Sequence, residues 1–424
     1  MNIILKGNIC YSESPDKLKC IENGNLVCVD GLVDGVFREL PEKYNGITIT
    51  DYGDKIIIPG LCDLHTHAPQ YAFRGLGTDM ELLDWLNTYT FPEESKYVIL
   101  DYATKAYDNY TVALKHSATT RACIFATLHS PATILLMEKL EKTGIVSLVG
   151  KVGMDRNCPD FLRQADAEAA YLSTMSWIAN TKDRFNNTKP IITPRFIPTC
   201  TDDLMRKFKK LQEEYSLPVQ SHLSESKDEI AWVKELCPHC ETYADAYNQF
   251  GLFGGDGVPT IMAHCVWCNE AEEKLIKQNE VYIAHCPQSN FNLASGIAPV
   301  RRYINAGINV GLGSDVAGGC HISIFRAMSD AIQASKLYWR LVDQDDKPLS
   351  VSEVFYLGTS GGGSFFGKVG SFESGYEFDA VVIDDSSIVT TNPLSVEERI
   401  ARIVYCSNDS CIHAKYVRGK SIFE

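Results

Sequence analysis

The feature that most constrains the fold is a repeated alternation along the middle of the chain. A short apolar run is followed by a few polar residues and then by a longer segment with apolar residues at helical spacing. Eight such runs fall at 56–64, 118–128, 145–154, 191–197, 218–223, 260–266, 281–286 and 309–313, with helix-like stretches at 202–215, 226–236, 270–278 and 297–306 among the segments between them. Runs that are apolar throughout suit strands buried on both faces, and strands alternating with helices pair in parallel. Eight repeats match an α/β protein of the (β/α)8 barrel type, whose usual size is about 250 residues. A doubly wound open sheet has the same periodicity and stands as the structural alternative.

The two ends read differently. Runs at 3–5, 26–29, 35–38 and 47–50, and again at 380–385, 403–405 and 412–418, are β-like and separated by Gly, Asn and Asp turns. Neither end is long enough to bury a core alone. Residues 1–56 and 368–424 are therefore expected to form one discontinuous small β-sandwich domain beside a catalytic barrel spanning 57–367.

Composition narrows the function. Of the 424 residues, 45% are apolar, and 40 Lys and Arg against 54 Asp and Glu leave a net charge of -14. That sign is wrong for a nucleic acid polymer or an anionic membrane surface. No apolar run approaches the ~18 residues a spanning helix requires. The N-terminal run from Met1 is interrupted at Gly7 and Asn8, without a basic leader. The 15 cysteines are odd in number and scattered through a long chain, which suits reduced thiols better than a disulfide framework. A cytoplasmic protein acting on a small molecule is expected.

The histidines show where the chemistry gathers. Five of the ten stand at or just beyond the end of an expected strand, the rim where barrels of this kind carry their active sites. His65 and His67, two apart on a strand, point to the same side. The fifth run supplies His222, and the eighth ends at Gly313-Ser314-Asp315. Together His65, His67, His222 and Asp315 make a three-nitrogen, one-oxygen site for Zn or Fe with a position open for water. Glu225, three residues past His222, is placed to lie over that water as a proton shuttle.

Other motifs lead elsewhere or nowhere. The pairs Cys237/Cys240 and Cys265/Cys268 outline a zinc ribbon, but the 24 residues between them exceed the usual 15–20 and the second pair begins inside a strand run. The cytidine-type H-x-E with P-C-x-x-C is absent. Gly361-Gly362-Gly363 lacks a phosphate loop's Lys-Ser/Thr ending. Lys151, on the third run, is the candidate bridging residue of a binuclear cyclic-amide hydrolase, the rival to a one-metal enzyme.

The residues Pro59 to His67, His222, His264, His285-Cys286-Pro287-Gln288-Ser289-Asn290 and Gly313-Ser314-Asp315 resemble the amidohydrolase superfamily over essentially the whole chain. Within it, His67 to Phe73, Leu83 to Glu93 and Thr193-Pro194-Arg195-Phe196 resemble the substrate loops of guanine deaminases. The resemblance implies one Zn per chain, with Fe as the alternative metal, held by His65, His67, His222 and Asp315. It implies that His264 hydrogen-bonds the water, that Glu225 and Asp315 exchange protons with it, and that Gln70, Arg195 and Phe196 meet a purine base beside His67, His222, Glu225 and Asp315. It also implies a homodimer. Pro69 departs from the Ser that relatives often carry there, in the loop that presents Gln70. A one-metal deaminase of cytosine, a triazine or an adenosine analogue differs only in these substrate loops.

Overall fold

The structure, a computed structural model, describes residues 2–423; residues 1 and 424 of the expected terminal segments lie outside that range. The barrel strands are Leu61–His67, Thr119–Phe125, Val146–Gly150 continued by Val152–Gly153, Thr188–Pro190 with Thr193–Pro194, Val219–Leu223, Thr260–His264, Tyr282–His285 and Val310–Leu312. Neighbours pair in parallel within each arc. The ring closes at two seams. Ile192 N donates to Pro218 O and Gln220 N to Ile192 O, each at 2.9 Å, joining the fourth strand to the fifth, and Asp315 N donates to His65 O at 2.8 Å, joining the eighth to the first. The sheet is thus a closed α/β barrel, and the doubly wound alternative falls away.

The helices form where the spacing places them. The helix Asp202–Tyr215 buries Leu204, Met205, Phe208 and Leu211, is capped by the Thr201 side chain accepting from Leu204 N, and stops at Ser216, which is left-handed at φ 50°. Lys227–Leu236 starts with a capping box between Ser226 and Glu229. The expected helix at 297–306 is shorter, Val300–Asn305, because Pro299 disfavours helical backbone at the residue before it.

Both chain ends enter one seven-stranded sheet, in the order Lys420–Phe423, Ile412–Val417, Ala380–Ile383, Ile49–Pro59, Ile3–Ser14, Lys17–Val29, Leu32–Phe37. The ends meet where Val381 pairs with Ile58 and Val382 with Ile57, antiparallel. Two expectations change here. The run 56–64 divides at Gly60, its first part in this sheet and its second in the barrel. A Cβ on Gly60 would lie 2.1 Å from Thr120 Oγ1, so only glycine lets the chain cross at that point. The run 403–405 lies in a helix, Val396–Cys406, whose buried Val396, Ile400, Ile403 and Val404 form one face and whose start is a Ser395/Glu398 capping box. A short β-branched run had masked that period.

The joint between sheet and barrel is ionic, with the Arg121–Asp379 pair buried and its outer members reaching solvent. Arg121, on the second barrel strand and 1% exposed, donates to Asp379 Oδ2 at 2.5 Å and to Glu377 Oε2 at 2.7 Å, while Arg418 Nε reaches the same Glu377 oxygen at 2.6 Å. Removing one partner of such a pair strands a buried charge. Arg121→Leu is therefore expected to lower the unfolding free energy by about 3–5 kcal/mol, read by chemical denaturation; an unshifted unfolding midpoint would remove this joint from the list of what holds the two parts together.

Candidate active site and metal centre

The strand Leu61–His67 is buried along its whole length, so its alternation turns Asp63, His65 and His67 to one side. Asp63 is pinned by Ser314 Oγ at 2.6 Å and Ser314 N at 3.0 Å, and burial pushes its carboxyl up to about 6. Its Oδ1 accepts from His65 N at 3.2 Å, tying the eighth strand's end to the first strand's histidines. His67 Nε2 lies 3.2 Å from His65 Nε2 and 3.3 Å from His222 Nε2. Asp315 Oδ1 lies 3.1 Å from His65 Nε2 and 3.5 Å from His67 Nε2.

This donor set fits a divalent cation. His222 Nδ1 is 2.6 Å from Arg195 O, so Nδ1–H donates and the Nε2 lone pair is left facing the other nitrogens. Burial drives the imidazoles of His67 and His222 well below their usual range, keeping them neutral as ligation requires. Burial alone would raise Asp315, but the imidazole of His65 against it, with His264 beyond, holds it well below the ordinary carboxylate range, so it is ionised. Three basic nitrogens and one carboxylate oxygen aimed at one point satisfy one another poorly and suit Zn or Fe. Cys286 is a neighbour that the spacing did not reveal: its sulfur lies within 4.8 Å of donor atoms of His65 and Asp315, and burial keeps it a thiol.

Glu225 stands over this cluster. Its Oε2 is 3.3 Å from His264 Nε2, Ser295 Oγ donates to its Oε1 at 3.2 Å, and its backbone N donates to Glu229 Oε2 at 2.9 Å. Burial, aided by the charge of Asp315, raises the Glu225 carboxyl well above its usual range, which favours its protonated form. Glu229 behind it is pushed up to about 7, first by burial and then by Glu225. His264 Nδ1 faces Asn290 Oδ1 at 3.0 Å, and its Nε2 lies 3.7 Å from Asp315 Oδ2. The backbone is left-handed at Ser224 (φ 48°), His264 (φ 74°), Cys265 (φ 48°) and Asp315 (φ 44°). Each such turn costs about 1–3 kcal/mol, and at His264 and Asp315 it accompanies a side chain that faces the mouth.

The pocket above these groups is walled by Leu82, Trp85, Leu86 and Leu293, and Gln70, Arg195 and Phe196 open into it alongside His67, His222, Glu225, His264 and Asp315. Every residue singled out for metal, proton or substrate work therefore meets at one mouth, with His65 directly beneath. Lys151 does not. Its Nζ is 3.4 Å from Thr174 Oγ1, on the helix Ala167–Thr181 outside the barrel, so no bridging residue reaches the histidines from the third strand. Among the described residues the two Cys-x-x-Cys pairs form no metal-ligand cluster.

Sequence reasoning passed over Glu94. Its carboxylate is gripped by Arg195 through Nη1 at 2.5 Å and Nη2 at 3.1 Å and accepts from Gln70 Nε2 at 2.9 Å. The signal was present: a buried arginine needs an anion, and the loop that carries Leu83 to Glu93 ends in two glutamates. Glu93 turns instead to Lys96 and Tyr102. Ser295 and Glu229 were also missed, and Asn290, though part of the His285–Asn290 motif, was given no role, because they act through other side chains from distant segments.

A closed parallel barrel with a histidine and carboxylate cluster at the C-terminal ends of its strands defines a metal-dependent hydrolase. The chain belongs to the amidohydrolase family, which it matches over residues 56–422. It is 36% identical to the guanine deaminase of Dictyostelium discoideum over 99% of this chain and 98% of that protein, and 32% identical to the Escherichia coli guanine deaminase over 97% and 94%. The crystal structure of the guanine deaminase from C. acetobutylicum, with guanine bound in its active site, superposes with a TM-score of 0.97 at 48% identity over the full length of both chains.

Lys151 yields a test that separates one metal from two. Burial lowers its ammonium from 10.5 to about 7. The unfolded chain takes up this proton near 10.5 and the folded chain only near 7, so the penalty grows as pH falls through that window and is complete below it. Lys151→Met is expected to stabilise the fold by about 1 kcal/mol or more at neutral pH, with the gain fading as pH rises, while metal content by elemental analysis stays at one ion per chain. A loss of metal in this variant would revive the binuclear reading.

Proposed function

We infer that this chain is a guanine deaminase, hydrolysing guanine to xanthine and ammonia. The observation that carries the reading is Arg195, 3% exposed, set in the same pocket as Glu225 and the histidine cluster in a chain similar over its whole length to guanine deaminases. Its guanidinium is a fixed fork of donors suited to the ring carbonyl of guanine. Gln70 supplies a further donor and Phe196 an apolar wall, and Leu82, Trp85 and Leu86 exclude water.

His65, His67, His222 and Asp315 would hold a divalent ion, which we assign as Zn with Fe the alternative, and such an ion would lower the pKa of a water to ~7 and so supply a nucleophile at neutral pH. Asp315 and His264 orient the attacking water, and the ionised Asp315 takes its proton. Glu225 gives its proton to the ring nitrogen beside the amino-bearing carbon, then takes the proton of the newly added hydroxyl as it becomes a carbonyl and relays it to the amino group, which departs as ammonia; Asp315 returns the water's proton to Glu225. Glu229 and Ser295 hold Glu225 in place. Adenine puts an amino group where guanine has the carbonyl, so it would set a donor against a buried cation. A site built for a hydrogen-bonding partner rejects the analogue lacking it by as much as ~10⁴-fold.

The same reading assigns catalysis to the barrel, which the chain enters past Gly60, with the two terminal segments as its flanking domain, in a cytoplasmic homodimer. The 15 free cysteines favour a reducing compartment.

Purified protein is expected to release ammonia from guanine with xanthine as product, and hardly at all from adenine. Ammonia from cytosine or a triazine with guanine untouched would overturn the substrate assignment and leave the metal site standing. Glu225→Gln is expected to retain metal and bind guanine while turnover falls by at least about a hundredfold. Near-normal turnover would move the proton relay elsewhere.

A further inference from the structure

The Glu94 carboxylate joins three segments that are distant in sequence. It sits on the short helix Phe91–Ser95, takes both terminal nitrogens of Arg195 from the end of the fourth strand, and takes Gln70 Nε2 from the loop after the first strand. Glu94 is 1% exposed and Arg195 3%, so both charges are out of water. Phe91 lies under the guanidinium at 5.1 Å. Tyr97, Tyr107 and His129 are the titratable groups facing Glu94, and His67 and Cys158 those facing Arg195. None of these is a carboxylate. Among the described residues, Glu94 is the carboxylate in ion-pair contact with Arg195.

Two consequences follow for the pocket wall. Gln70 Oε1 is already occupied by Ala317 N at 3.1 Å and one Nε2 hydrogen by Glu94, so its amide orientation is set and its remaining hydrogen is a donor. Arg195 spends one hydrogen of each terminal nitrogen on Glu94 and keeps its Nε–H and the others. The wall therefore offers donors only, and its net charge is zero.

We propose that Glu94 is a positioning and specificity residue: it aims the donors of Arg195 and Gln70 at the purine and cancels the guanidinium's charge, so that the pocket takes neutral guanine and does not retain an anionic product. This rests on the guanine reading above. Hydrolysis replaces the amino group by a carbonyl, which makes xanthine a stronger N–H acid than guanine and gives it an anionic form in mildly alkaline solution. An unbalanced buried Arg195 would hold that anion; the balanced pair releases it.

The test uses the full-length metal-loaded protein. Glu94→Gln keeps the shape and the acceptor for Gln70 but removes the charge. Metal content is expected to be unchanged and kcat/KM for guanine to fall by about tenfold or more, chiefly through KM. In mildly alkaline buffer, xanthine is expected to bind about tenfold more tightly than to the unaltered protein by isothermal titration, and to raise the variant's melting temperature more than guanine does. Adding Arg195→Met should abolish the xanthine gain. Parallel weakening of both purines, or a xanthine gain that survives Arg195→Met, would overturn the proposal. If Glu94→Gln alone is insoluble, the double variant, free of the buried charge, must recover solubility, and failure to do so equally overturns it. Failure of the unaltered protein to deaminate guanine would sink the functional reading instead, since the binding comparison does not need turnover.

Discussion

At the mouth of the barrel, ionisable side chains are packed where water cannot reach them, and each must be neutral or paired. His67 and His222 are neutral because burial makes a second proton costly. Asp315 is ionised because imidazoles face it, His65 first, while burial, aided by the charge of that same Asp315, pushes the Glu225 carboxyl up. Two carboxyl groups at one mouth are thus driven in opposite directions. That division is what acid-base work at neutral pH requires, since one group must accept a proton while the other has one to give.

The same constraint extends outward. Arg195 is tolerated in the pocket wall because Glu94 balances it, and Arg121 is tolerated under the barrel because Asp379 and Glu377 balance it. The first pair shapes the pocket and the second docks the terminal sheet against the second strand. Left-handed turns at Ser224, His264, Cys265 and Asp315 add local strain at the strand ends. The rigid ring beneath supports it, sealed by backbone hydrogen bonds at both seams.

Much of this was legible in one dimension because it repeats or is local. The eight apolar runs announce buried strands; the helix Glu270–Gln278 coincides with its apolar period; and the two-residue spacing of His65 and His67 already places both imidazoles on one face. What misled was equally local. The apolar character of 56–64 is the same in the sheet and in the barrel, so only the clash that any side chain on Gly60 would make with Thr120 marks the crossing. Residues 403–405 look like a strand until Ile400 and Val396 are seen on the same buried face.

The sequence by itself determined the strand and helix alternation, the residue types able to bind a metal and carry a proton, and their place at strand ends, because these depend on periods of two and 3.6 residues and on chemical identity. Only the tertiary structure decided that the ring closes, that Lys151 faces away from the histidines, that the Glu225 carboxyl is pushed up while that of Asp315 is held down, and that Glu94 rather than Glu93 holds Arg195 and Gln70. Those outcomes depend on which groups from distant segments share a buried volume. The energy of a buried charge is set by neighbours within a few ångströms, whatever their separation along the chain.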